Sequence, residues 1–119
     1  MTNLVTPKRL RAIYALLVTL PPFDRWNMPP PSAVRFSCFK EVDRWAEYNP
    51  NGKHHILFSS ARMWSLPALI STMAHEMVHL RQRMVGKLPT NDCKHHNAYF
   101  HKLALRVCER LGFDRGDFL

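Results

Sequence analysis

The strongest constraint on this chain is the run of residues 65–86, which reads as a buried helix. Ser65 suits an N-cap, Pro67 the first turn and Gly86 the position just past the end, so the helix is expected to run to about Met84. Leu69, Ile70, Met73, Ala74, Met77, Val78 and Leu80 make it apolar around most of its circumference, and such a helix has to lie inside the domain. His75, Glu76 and His79 stand in the middle of it. Residues four apart share a helical face, so the two imidazoles address one point with the carboxylate beside them. Buried histidines need hydrogen-bond partners or a cation, and a buried Glu76 needs neutralising as well. His-Glu-x-x-His is the zinc-hydrolase pattern, in which the histidines bind Zn2+ and the glutamate is the general base. His75 and His79 are therefore the expected metal ligands, and Glu76 the expected catalytic residue.

The rest of the chain has to supply a core around that helix. With 119 residues, 46% of them hydrophobic, residues 1–119 are expected to form a single domain. Residues 6–20 read as an amphipathic helix, with Thr6 as cap, Pro7 in the first turn and Leu10, Ile13, Leu16, Leu17 and Leu20 at helical spacing. The prolines of residues 21–31 end it and make a connector, which Phe23, Trp26 and Met28 can pin to the core. Alternation over residues 33–39, 44–48 and 54–59 predicts three short strands, the last two joined by the turn Asn49-Pro50-Asn51-Gly52. An antiparallel meander is the economical arrangement. The third strand then sits just before the motif helix, as a sheet edge on which an extended peptide can be laid. His54 and His55 are adjacent in that strand and face opposite sides, so they read as surface histidines rather than a metal pair. A last helix is expected from Cys93 or His95 to Leu111, capped from Thr90, Asn91 or Asp92 and closed by Gly112, followed by a short tail of residues 113–119. The fold class is α+β.

Composition narrows the setting. A formal net charge of +8 suggests an anionic partner such as nucleic acid, although a solvated basic surface produces the same number. No stretch approaches the roughly 20 apolar residues of a membrane span, and Pro21-Pro22-Phe23 stands where a signal peptide would carry small residues for cleavage. Cys38, Cys93 and Cys108 are odd in number and scattered, which suits a reducing compartment. The expectation is a cytoplasmic protein without a membrane partner, nucleoid-associated or nuclear if it meets DNA.

A catalytic zinc site takes three protein ligands and keeps one position open, so one more donor is needed. Asp92, Cys93, His95, His96, His101 and Glu109 are the downstream candidates. His96 is preferred because it stands at the head of the last helix, in the run His96-Asn97-Ala98-Tyr99-Phe100. His101 lies more than a turn further on and off that face, and Glu109 lies several turns away.

His75-Glu76-Met77-Val78-His79 followed by His96-Asn97-Ala98-Tyr99-Phe100 resembles the SprT-like metallopeptidases, which include the Spartan DNA–protein crosslink proteases. The similarity covers about residues 56–100. It implies a zincin-like minimal metallopeptidase with an N-terminal helix, a small three-stranded sheet, the motif helix and a C-terminal ligand helix. It also implies His96 as third ligand and protein substrates on or near DNA. Many family members carry glycine where this chain has Asn97, which keeps His95 beside His96 as the third donor. Neither the family's zinc ribbon nor Spartan's DNA-binding tails are matched here, so a minimal catalytic core is expected. The mechanism implied is attack on a peptide carbonyl by a zinc-activated water whose proton Glu76 takes and passes to the leaving amine. Tyr99, His95 and Arg62 are candidate donors to the oxyanion. The alternative is a nucleic-acid-binding or scaffold protein with a zinc site and no protease activity. A zinc hydrolase of cell-wall peptides is disfavoured for want of an export signal.

Overall fold

The computed structural model of the chain describes residues 5–90 and 95–118. Its first element, α1 (Pro7–Leu17), starts as the sequence indicates: Thr6 Oγ1 accepts from the Arg9 amide and Pro7 takes the first turn. Leu10, Tyr14 and Leu17 form its buried stripe. Regular helix stops three residues short of Leu20, because Thr19 and Leu20 already bond back three residues, in a tightened final turn. The connector is pinned as expected, with Phe23 and Trp26 buried and the Tyr14 hydroxyl donating to the Pro29 carbonyl at 2.6 Å.

The sheet corrects the expected antiparallel meander. Strands β1 (Val34–Phe39), β2 (Ala46–Asn49) and β3 (His54–Ser59) lie in the order β1-β3-β2, with β1 parallel and β2 antiparallel to β3. The hairpin is only β2–β3, where Gly52 takes a positive φ of 71° and Asn49 Oδ1 accepts from the Asn51 amide. The connection from β1 to β2 instead arches over the end of β3. Ser59, fully buried, holds it through its hydroxyl to the Glu41 carbonyl (2.7 Å) and its amide to the Trp45 carbonyl (2.8 Å), while the Ser60 amide bonds the Phe39 carbonyl (2.8 Å). Period-two alternation decides which face is buried, but not which neighbour a strand takes or in which direction. The expected edge strand is therefore corrected too: β3 is central, and β1 and β2 are the edges.

Helix α2 (Leu66–Met84) runs through the middle of the molecule. Ser65 Oγ accepts from the Ala68 amide, and Leu69, Met73, Ala74, Met77, Val78 and Leu80 are all buried. Helix α3 (Ala98–Leu111) starts later than the sequence suggests. Its cap is Asn97, whose Oδ1 accepts from the Phe100 amide at 2.9 Å, so His96 precedes the helix instead of heading it. Gly112 ends it in the left-handed conformation, φ 79°. The expected caps Asn91 and Asp92 lie outside the described residues. The tail is not irregular: α4 (Arg115–Phe118) turns Phe118 into the core, stacked on Phe113. No helix among the described residues is long and apolar enough to cross a membrane.

Candidate metal centre

Because the middle of α2 packs into the core, His75 and His79 present their rings one turn apart, His79 buried and His75 half-buried, with centroids 5.0 Å from each other. The segment ahead of α3 brings the His96 ring to 4.9 Å from His75 and 5.0 Å from His79. One donor nitrogen from each of the three lies within 4.8 Å of the others, close enough to hold a metal ion. Tetrahedral donors about 2.0–2.1 Å from zinc stand roughly 3.3 Å apart, and the Nε2 atoms of His79 and His96 are already 3.2 Å apart.

The donor chemistry fits an ion because the far sides of two rings are occupied by groups that dictate the tautomer. His75 Nδ1 lies 2.7 Å from the backbone carbonyl of Phe118, which can only accept, so Nδ1 carries the proton and Nε2 the lone pair. At His79 the partner is Gln82, whose Oε1 is 2.6 Å from Nδ1. The orientation of that amide is fixed in turn, since Gln82 Nε2 donates to the His95 carbonyl (2.8 Å) and to Asn97 Oδ1 (3.2 Å). Two imidazoles thus keep Nε2 unprotonated, each held from behind by an acceptor, and that of His79 faces His96. Burial keeps them neutral, pushing His75 down to about 4 and His79 down to about 3, and it lowers His96 as well.

Glu76 is buried beside them. Burial foremost, and then the charge of Glu47, push its carboxyl up to about 8, so without a nearby cation it stays protonated at neutral pH. A cation held by the three histidines would oppose that shift and favour the ionised carboxylate.

A cleft of about 270 Å³ opens in front of these groups, lined by Ala46, Glu47 and Tyr48 of β2 and by His75, Glu76, His79, His95 and His96. A neighbouring cavity of about 400 Å³ also touches Ala46, His75 and Glu76. The free edge of β2 therefore borders the site, where the sequence reading had placed β3.

Of the other candidates, His95 lines the cleft, its ring 5.7 Å from that of His79, but supplies no donor to the three-histidine group. His101 and Glu109 are exposed and stand apart from it, and Asp92 and Cys93 lie outside the described residues. Arg62 is turned away: its guanidinium donates to the Val42 carbonyl and covers the Trp45 ring at 4.2 Å. Tyr99 packs against the core and does not line the cleft. His54 and His55 do face opposite sides, yet they are half-buried rather than surface residues, bonded to the Tyr48 hydroxyl and to Ser37 Oγ. Sequence reasoning missed Gln82 and the Phe118 carbonyl. Gln82 had a visible signal, a lone amide one turn beyond His79 on an apolar face, whereas a backbone carbonyl has none. Searched against models of protein families and against curated proteins, the chain matches none.

Proposed function

We propose that this chain is a zinc metalloendopeptidase of the SprT-like kind. The observation that carries the reading is the convergence of His75, His79 and His96, two of them tautomerically locked, beside a buried Glu76 in a cleft bordered by a free strand edge. Zinc is the ion best matched to three neutral imidazoles with room for one further ligand. Bound there, it supplies Lewis acidity toward a carbonyl oxygen and acidifies a water molecule. The chain does the rest. An extended substrate pairs its backbone with β2, which orients a peptide bond in front of His75 and Glu76. Glu76, ionised by the adjacent cation, takes the proton of the attacking water and delivers it to the leaving amine. A purely structural zinc site does not need that carboxylate.

The basic surface supports substrates on or near nucleic acid. Lys102, Arg106 and Arg110 are exposed at four-residue intervals along α3 and form one basic stripe on its outer face. The same stripe supports the second reading, a nucleic-acid-binding protein whose zinc does no chemistry. Purified protein is expected to carry one zinc per chain, to lose it on His79→Ala, and to degrade an unstructured protein at a rate that Glu76→Gln lowers at least a hundredfold. Equal, slow degradation by wild type and Glu76→Gln, together with salt-dependent DNA binding that Lys102→Ala/Arg106→Ala/Arg110→Ala weakens, would establish the second reading instead.

A further inference from the structure

Beyond the cleft, the first half of α2, Trp45 ahead of β2, Trp64 ahead of α2 and the turn between α3 and α4 border a second space that the mechanism does not use. It measures about 550 Å³, with Trp45, Trp64 and Phe113 as walls and Ala68, Ser71 and Thr72 as floor. We propose that it receives a bulky apolar side chain of the peptide substrate, one to three residues from the bond that is cleaved. The inference deepens the peptidase reading and rests on it.

Three observations carry the assignment. The first is that the walls are held rigid while open to solvent. Trp45 is 46% exposed, yet its ring stands edge-on to Trp64 at 4.9 Å and is covered on one side by the Arg62 guanidinium. Trp64 is fixed by Nε1 donating to the Ser59 carbonyl at 2.8 Å and by packing on Phe58. Aromatic surface arranged this way gains from an apolar side chain that displaces water, and the rings lose little freedom in receiving it.

The second observation is continuity. Trp45, Ser71 and Thr72 also line the cavity that contains His75 and Glu76, and that cavity shares Ala46, His75 and Glu76 with the cleft before His79 and His96. One groove thus follows β2 from the aromatic pocket to the metal centre. Helix α2 serves as its ruler. Thr72 and Ala68 precede His75 by three and seven residues, about 5 and 10 Å at the helical rise, and an extended peptide covers that span in roughly one to three residues.

The third observation is asymmetry. At the far end of the same groove, past Tyr48, the lining is mostly polar, with Asn49, Asn51, Arg83 and His95 beside Pro50, Leu88 and Pro89. The tryptophan and phenylalanine walls stand only at the other end. The preference for a bulky apolar side chain therefore falls on the side of the scissile bond that meets the tryptophan and phenylalanine walls. Asp114 at the rim of the aromatic pocket selects further, against acidic side chains.

The test separates binding from cleavage. Zinc-loaded Glu76→Gln protein is titrated with a blocked eight-residue Ala/Ser/Gly peptide and with versions in which one Phe is moved through each position, read by tryptophan emission. Phe at one position is expected to tighten binding about tenfold, and the gain is expected to fall below twofold in Trp45→Ala and in Ser71→Phe, which fills the pocket without unbuilding it. A gain below twofold at every position, or a tenfold gain that survives both variants, would overturn the proposal. So would sedimentation showing a dimer that Trp45→Ala dissociates. Cleavage sites mapped on denatured protein by mass spectrometry are expected to carry Leu, Met, Phe, Tyr or Trp at one fixed offset within three residues. Cleavage without that bias would sink the pocket and leave the peptidase standing. Phe-selective binding by a wild type that cleaves nothing would sink the peptidase reading and leave the pocket as a peptide-binding site.

Discussion

An imidazole offers a metal one lone pair, and the hydrogen bond at its other nitrogen decides where that lone pair points. Gln82 makes this decision for His79 and at the same time holds the segment carrying His96, because its amide reaches the His95 carbonyl and Asn97. Replacing it with leucine leaves a buried carbonyl and an imidazole N–H without partners. Gln82→Leu is therefore expected to lower zinc affinity by 10–100-fold and stability by about 1–3 kcal/mol, measured by chelator competition and urea unfolding. Gln82→Glu keeps the acceptor for His79 but sets a carboxylate against the His95 carbonyl, so nitrogen NMR is expected to show the His79 Nδ1–H tautomer while affinity still falls. Equal affinity in all three proteins would refute the positioning role. Burial has a second consequence at this scale. With His75 at about 4 and His79 at about 3, protons compete for these nitrogens only in acid, and the ligand-competent form persists as pH falls. Three ordinary histidines of pKa near 6.5 would lose roughly a thousandfold in zinc affinity between pH 7.5 and 5.5. In Glu76→Gln protein, where the carboxyl no longer exchanges a proton, the loss here is expected to be tenfold or less, the share left to His96.

At the scale of elements, the segment between α2 and α3 is organised by a single side chain. Asn97 caps α3 through Oδ1 and ties the loop to Lys87 through Nδ2, so it sets both the helix start and the approach of His96. Asn97→Ala is expected to destabilise by about 1–2 kcal/mol and to weaken metal binding, whereas Asn97→Asp, which keeps the capping oxygen, should lose much less stability. Thermal unfolding with and without zinc measures both effects, and equal losses in the two variants would refute the capping argument. That this cap was read too early shows where the sequence was legible. The ends of α2 could be foreseen because Ser65, Pro67 and Gly86 punctuate an apolar run without competitors. The start of α3 could not, because Thr90, Asn91, Asp92 and Asn97 can all cap, and the choice falls to Gln82, a contact from another helix. His75, Glu76 and His79 were visible because helical spacing alone joins them. The edge strand was not, because Ser59 and its neighbours route the chain over β3 through contacts between residues up to twenty-one positions apart. Phe118 was invisible for the same reason: its carbonyl reaches His75 across forty-three residues.

For the molecule as a whole, the candidate metal centre is where segments distant in sequence meet. His75 and His79 come from α2, His96 from the segment before α3, and the α4 carbonyl of Phe118 braces His75 from behind. An ion at that junction would tie α2 to the segment before α3, a link absent from the unfolded state, where His96 is not held near the other two. Ligand linkage then makes metal occupancy a stability term: free zinc at a thousand times its dissociation constant adds about 4 kcal/mol. For a domain of this size that corresponds to a rise in Tm on the order of 15 °C. Chelation should lower the melting temperature by that amount, and restoring zinc should recover it. His79→Ala is expected to melt close to the chelated wild type and to ignore added zinc, because it removes the ligand and leaves the surrounding packing in place. Phe118→Ala tests the brace. It removes a buried aromatic side chain from the far end of the chain, at a cost of about 3–5 kcal/mol. If α4 supports the centre, this variant should also bind zinc more weakly than its lost stability alone requires, because α4 without its buried anchor holds the residue-118 carbonyl less firmly against His75. A variant that unfolds earlier but binds zinc with wild-type affinity while folded would show that α4 closes the core without setting the site.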